Sequence, residues 1–168
     1  MAIQRYYLDT SALIARYLVR APGHVWVHNV CDPHNGNTLI LAQITGAEIG
    51  AAFNQLARSG AMRKKLTDAS IAAFWTQVSA GEFVLVPISI DVVQRASNLC
   101  GTHPLKGYDA VQLACAIVAR EDARLADAAT SASGGQPLGD PIFLTEDHKL
   151  RDAAAAEGFV VDSPIAHP

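Results

Sequence analysis

Apolar residues along this chain alternate between short continuous runs and stripes at helical spacing. Tyr6, Tyr7 and Leu8 form a run of strand length, and the chain from Ser11 onward has helical spacing. "APGHVWVHNVCDPHNG" predicts a short helix stopped by Asp32-Pro33 and Asn35-Gly36. "TLILA" (Thr38–Ala42) predicts a second strand, and Ile49, Ala52, Phe53 and Leu56 form the stripe of a helix ending at Gly60. A basic turn, "RSGAMRKK", leads to a helix with Ile71, Phe74, Trp75 and Val78 on one face, so these two helices predict a hairpin.

"EFVLVPIS" predicts a third buried strand, followed by the helix "IDVVQRASNLC" with Ser89 as its cap. The helix in "HPLKGYDAVQLACAIVAR" turns Ala110, Leu113, Ala114 and Ile117 inward. "PIFLTEDHKLRDAAAAEG" and "FVVDS" then add a strand, a helix and a strand. The Ala-, Ser- and Gly-rich stretch Glu121–Asp140 reads as a helix end and a flexible surface loop. Strands alternating with helices predict an α/β fold: a single domain over residues 1–168, with a central parallel sheet flanked by helices on both faces.

Composition narrows the class. The chain has 168 residues, half of them hydrophobic and 17% charged, which suits one globular domain with a real core. No apolar run approaches the ~20 residues of a membrane-spanning helix, and Asp9 falls where a signal peptide would want its apolar stretch, so the expected location is cytoplasmic. Cys31, Cys100 and Cys115 are odd in number and widely spaced, which implies reduced packing residues. His24 and His28, with Cys31 and His34 nearby, have a spacing open to zinc, but a complete second half of such a site is lacking.

The acids carry the chemistry. Asp9 ends the first strand, Glu48 lies in the first turn after the second, and Asp147 follows the strand "PIFL". These positions share the carboxyl edge of the sheet, where ligands bind in open α/β folds. Asp109 stands at the start of another helix, able to face the same crevice. Clustered carboxylates repel, and a cation at their centre relieves that repulsion. An all-oxygen set selects a hard ion such as Mg²⁺ or Mn²⁺, whose associated chemistry is phosphodiester hydrolysis. Each acid read alone is more often a helix cap or dipole partner, and only the constellation points to a shared ion.

"YLDTSALI", the Glu48 helix, "LKGYDAVQLACA" and "FLTEDHKL" resemble, in order and spacing, the motifs of the PIN-domain nucleases, and most closely the VapC-type ribonuclease toxins of toxin–antitoxin pairs. The resemblance covers nearly the whole chain. It implies a metal-dependent endoribonuclease in which Asp9, Glu48, Asp109 and Asp147 hold Mg²⁺ or Mn²⁺. Hydrolysis by metal-activated water would leave a 5′-phosphate and a 3′-hydroxyl. It also implies an RNA substrate, a homodimer and a cognate antitoxin that blocks the site. The Glu121–Asp140 segment is longer than the corresponding connection in that family.

Around the acids, Thr10 and Ser11 read as a cap that also orients Asp9, and Thr145 as a partner that orients Asp147. The net charge of −3 argues against a nucleic-acid partner, yet removing the four proposed ligands leaves 12 of the 16 acids against 13 Lys plus Arg. Lys106 and the Arg58, Arg63, Lys64 and Lys65 group are candidate phosphate contacts, although the group reads first as a solvated turn, since charge runs mostly just face water. Trp26, Trp75, Phe53 and Phe74 read as core or dimer packing, and His103 and Tyr108 take no assigned role.

Two rival functions remain open. A haloacid-dehalogenase-type phosphatase also begins with an acid at the end of its first strand, but expects a second Asp two residues later, where this chain has Ser11. The other rival is a PIN-like module that binds RNA or protein without cutting.

Overall fold

In the first strand Tyr7 points to one side and Leu8 to the other, and both are fully buried. A strand covered on both faces belongs at the centre of a sheet, and the computed structural model, which describes residues 3–167, places it there. The strands are β1 (Arg5–Leu8), β2 (Thr38–Ala42), β3 (Val84–Val86), β4 (Ile142–Leu144) and β5 (Val161–Asp162). They run in the order β3-β2-β1-β4-β5 with every neighbouring pair parallel.

The helices are α1 (Thr10–Ile14), α2 (His24–Val30), α3 (Thr45–Arg58), α4 (Lys64–Ser79), α5 (Ile90–Thr102), α6 (Gly107–Ala132) and α7 (His148–Ala156). Tyr7, Ile40, Ala42 and Phe143 pack beneath α5, α6 and α7 through Leu99, Leu113, Ala114 and Leu150. On the opposite face Leu8, Leu39, Leu41 and Leu144 meet Leu13, Val27, Ile49, Phe53 and Phe74 of α1 to α4. The predicted two-sided parallel sheet is therefore present, and the alternation along each strand decides which residue serves which core.

The α3–α4 hairpin is present too. It closes over Gly46, where a Cβ would lie 2.7 Å from the Trp75 ring, so only a glycine lets the indole rest against α3. Trp75 is half exposed rather than core, while Trp26 stacks on His167 at 4.0 Å between ring centroids.

Some local expectations need correction. The third strand is an edge, so Val84 and Leu85 are exposed and only Val86 is buried. The first helix stops at Ile14, and α4 begins at Lys64, which puts Lys64 and Lys65 in its first turn. Helix α6 continues through Glu121 to Ala132, because the alanines that suggested a loop are also the strongest helix formers. The segment beyond α6 is fastened rather than free. Asp127 accepts the N–H groups of Leu138 and Gly139 and pairs with Arg5, and Arg124 pairs with Asp140. Among the described residues no helix is long and apolar enough to cross a membrane.

Candidate active site

Each of the four acids reaches the carboxyl edge of the sheet by a different route. Asp9 follows β1 directly and caps α1, its Oδ2 accepting the Ser11 N–H at 3.2 Å and the Ser11 hydroxyl at 2.6 Å. Glu48 projects from the first turn of α3, and Asp109 from the first turn of α6. Asp147 caps α7 by accepting the Leu150 N–H at 2.9 Å. Asp9 and Asp147 thus both cap a helix and line the candidate site, since a cap sits where a strand hands over to a helix.

All four line one cleft of about 600 Å³, together with Thr10, Ser11 and Tyr108. Burial pushes the Asp9 carboxyl above its ordinary range, and hydrogen bonds from Ser11 and Thr145 offset this only in part. Burial also raises Glu48, helped by the charges of Asp9 and Asp109 and opposed by hydrogen bonds from Thr10 and Gln112. Asp109 is raised by burial and by Asp147 and Asp9, with Lys106 pulling the other way. These acids feel one another through the cleft.

The hydroxyls divide differently from the sequence expectation. Ser11 does hold Asp9, but the Thr10 hydroxyl donates to Glu48 Oε2. Thr145 donates to Asp9 Oδ2 at 3.1 Å and touches Asp147 only by accepting its backbone N–H at 3.1 Å. The reason is geometric: β1 and β4 are paired through Leu8 and Leu144, so Thr145 lies beside Asp9. Ser11 Oγ also accepts the Glu146 N–H at 2.9 Å, tying the β4–α7 loop to the start of α1.

Sequence reasoning overlooked Gln112. It is 1% exposed and donates to Glu48 Oε2 at 2.6 Å, while Tyr7 Oη lies 2.7 Å from its Oε1. The available signal was a polar residue at an inward position of "DAVQLACA", one turn after Asp109.

Lys106 precedes α6 and lines a smaller recess of about 290 Å³ with Asp109, Asp147, His148 and Lys149. Arg63, Lys64 and Lys65 lie at the far turn of the α3–α4 hairpin and line neither space, and Lys64 pairs with Asp68. His103 is 2.8 Å from Glu157, and Tyr108 stands exposed at the cleft rim.

The donor set fits a hard divalent ion, being carboxylate oxygen throughout. Among the described residues no three His, Cys, Asp or Glu side chains are gathered tightly enough to enclose an ion by themselves. Repelling carboxylates stand apart until a cation screens them, and Mg²⁺ keeps several waters in its shell, so such a cleft needs only a few direct ligands. The zinc reading has no such support. Cys31 is buried, His24 Nδ1 lies 2.7 Å from the Ala15 carbonyl oxygen, and the largely exposed His34 pairs with Asp32.

A five-stranded parallel sheet in this order, with acids converging at its carboxyl edge, defines an acidic-cleft α/β fold of the kind found in PIN domains. The chain belongs to the PIN-domain family, whose model, described as "PIN domain", matches residues 6–156. No curated protein sequence matches the chain.

Solved structures with this fold include VapBC2 from Rickettsia felis bound to a DNA fragment from its promoter. Its TM-score is 0.56 at 11% identity, covering 95% of this chain and 98% of that one. VapC20 from Mycobacterium tuberculosis, a sarcin–ricin-loop-cleaving toxin, gives 0.53 at 16% identity, covering 92% and 96%. PAE2754 from Pyrobaculum aerophilum gives 0.52 at 19% identity, covering 91% and 81%. At these identities the likeness is one of fold.

Proposed function

We propose that this protein is a metal-dependent endoribonuclease, the toxin of a toxin–antitoxin pair. The observation that carries the reading is the single cleft lined by Asp9, Glu48, Asp109 and Asp147, with the first three carboxyls all pushed above their ordinary range. Such a cleft favours a cation at its centre. Membership of the PIN family supports nuclease chemistry. The shared fold with a sarcin–ricin-loop-cleaving toxin and with a VapBC pair supports RNA as substrate and a protein antitoxin as partner. A homodimer in the cytoplasm completes the proposal, on the resemblance of the motifs.

Asp9, Glu48, Asp109 and Asp147 would hold Mg²⁺ or Mn²⁺, directly or through water. When bound, the ion supplies a lowered pKa for an attacking water and neutralises charge on the phosphodiester. The protein's own work is orientation: Ser11 and Thr145 hold Asp9, Thr10 and Gln112 hold Glu48, and the α7 N–H of Leu150 holds Asp147. Lys106 lies where it would meet a phosphate entering beside Asp109. No side-chain nucleophile is required. Ser11 Oγ is spent on Asp9, and burial raises the Cys31 thiol to about 12 and Cys115 to about 11. Ser11 supplies no carboxylate at the position where the phosphatase alternative expects its second acid.

The test is incubation with tRNA, rRNA and mRNA in Mg²⁺, Mn²⁺ or chelator, followed by end mapping. Metal-dependent cuts with 5′-phosphate and 3′-hydroxyl ends support the reading. Binding of RNA without cutting in any metal favours the non-cleaving module instead.

A further inference from the structure

Tyr7 lies inside the central strand, wholly buried and outside the cleft lining, yet it is joined to the cleft by one side chain. Its hydroxyl lies 2.7 Å from Gln112 Oε1 and 2.8 Å from the Gln112 carbonyl oxygen. Gln112 Nε2 donates to Glu48 Oε2 at 2.6 Å and to Thr45 Oγ1 at 3.1 Å. The Thr10 hydroxyl donates to the same Glu48 oxygen, while among the described residues Glu48 Oε1 has no hydrogen bond.

Burying a primary amide is costly unless its donors and acceptor are all used. Here they are. The amide also has one allowed orientation: turned over, it would set Oε1 at 2.6 Å from a carboxylate oxygen, with no proton between them. Tyr7 reinforces that orientation from the other side by donating to Oε1. An apolar residue at this inward position of α6 would pack as its neighbours Leu113 and Ala114 do, so packing does not require an amide.

We infer that Gln112 is a positioning residue for Glu48: with Thr10 it anchors Oε2 and leaves Oε1 to the cleft, and Tyr7 fixes the Gln112 amide. The inference rests on the proposed metal-dependent reading. Outer partners of metal-binding carboxylates typically contribute ten- to a hundredfold in affinity. Glu48 stands on a different helix from Gln112, so the bond also sets the α3–α6 spacing at the cleft.

The experiment is Mn²⁺ titration by calorimetry on the wild type, Gln112→Leu, Tyr7→Phe and the double variant, with thermal melting as a fold control. Gln112→Leu leaves Tyr7 bonded to the Gln112 backbone carbonyl and should weaken Mn²⁺ by about tenfold or more. Tyr7→Phe should weaken it several-fold in the single variant and not at all in the Gln112→Leu background, since Tyr7 acts only through the amide. A purely structural role would move the melting temperature and leave Mn²⁺ affinity in place. Wild-type affinity in both single variants overturns the inference while the metal reading stands. Failure of the folded wild type to bind Mn²⁺ overturns the reading and the inference together. If Gln112→Leu does not fold, Tyr7→Phe decides alone, because it removes a single oxygen.

Discussion

The Thr145 hydroxyl donates to Asp9 Oδ2 at 3.1 Å across 136 residues of sequence. This bond joins the end of β4 to the end of β1, and the same hydroxyl touches two of the four acids, Asp9 at its carboxylate and Asp147 at its backbone N–H. The β1–β4 register therefore sets Asp9 beside Thr145, while Glu48 and Asp109 arrive from α3 and α6.

Divalent ions should stabilise the fold. An ion that binds only the folded state adds RT ln(1 + [L]/Kd), about 2.7 kcal/mol at a hundredfold excess, so millimolar Mg²⁺ or Mn²⁺ should raise the melting temperature. Asp9→Asn keeps an acceptor for the α1 cap and removes a charge that burial disfavours. It should raise the metal-free melting temperature and shrink the increment from metal. Differential scanning fluorimetry reads both signs, and an unmoved wild-type curve with a destabilised variant would contradict the shared site.

The segment after α6 should detach in acid. Arg5 and the N–H groups of Gly139 and Leu138 hold the Asp127 carboxyl down to about 2, against an ordinary 3.8. A depressed carboxylate contributes stability that is present above its unfolded value and lost as pH falls through the folded one. Stability from this anchor should therefore disappear between pH values near 4 and 2, and Asp127→Asn should flatten that part of the melting profile.

Much of this fold was legible because strand runs and helical stripes report burial directly. Tyr7 against Leu8, and Ala110, Leu113, Ala114 and Ile117 on α6, fall where their pattern puts them. The positions of the acids were legible for the same reason, each standing at a strand end or helix start. Hydrogen-bond choice was not, because Thr10 and Thr145 each select among neighbours supplied by other strands and helices. Nor could an apolar run reveal that β3 is an edge, since lateral neighbours leave no trace in local periodicity. Alanines in Glu121–Asp140 read as low complexity, while their helix propensity decided the outcome.

Gly46→Ala should destabilise the hairpin. The new methyl would sit 2.7 Å from the Trp75 ring, and relieving it moves an indole that is half exposed, at a cost of about 1 kcal/mol. Trp75→Leu in the same chain should recover most of the loss in urea denaturation. Additive losses would place the strain elsewhere.

Lys106→Ala should weaken RNA binding more than Mn²⁺ binding. Losing one phosphate contact should make the slope of log affinity against log salt shallower by about 0.7 for single-stranded RNA. Filter binding over a range of salt checks this, and an unchanged slope returns Lys106 to the solvated surface.

If Asp9, Glu48, Asp109 and Asp147 together hold a divalent ion for RNA hydrolysis, as proposed, the wild type and Asp109→Asn will differ on end-labelled RNA in Mn²⁺ and in chelator. The amide keeps the shape of the α6 start and removes only charge. The expected result is cleavage by the wild type in Mn²⁺, none in chelator, and none by Asp109→Asn at an unchanged or higher melting temperature. Cutting by folded Asp109→Asn at the wild-type rate, or wild-type cutting that persists in chelator, would contradict it.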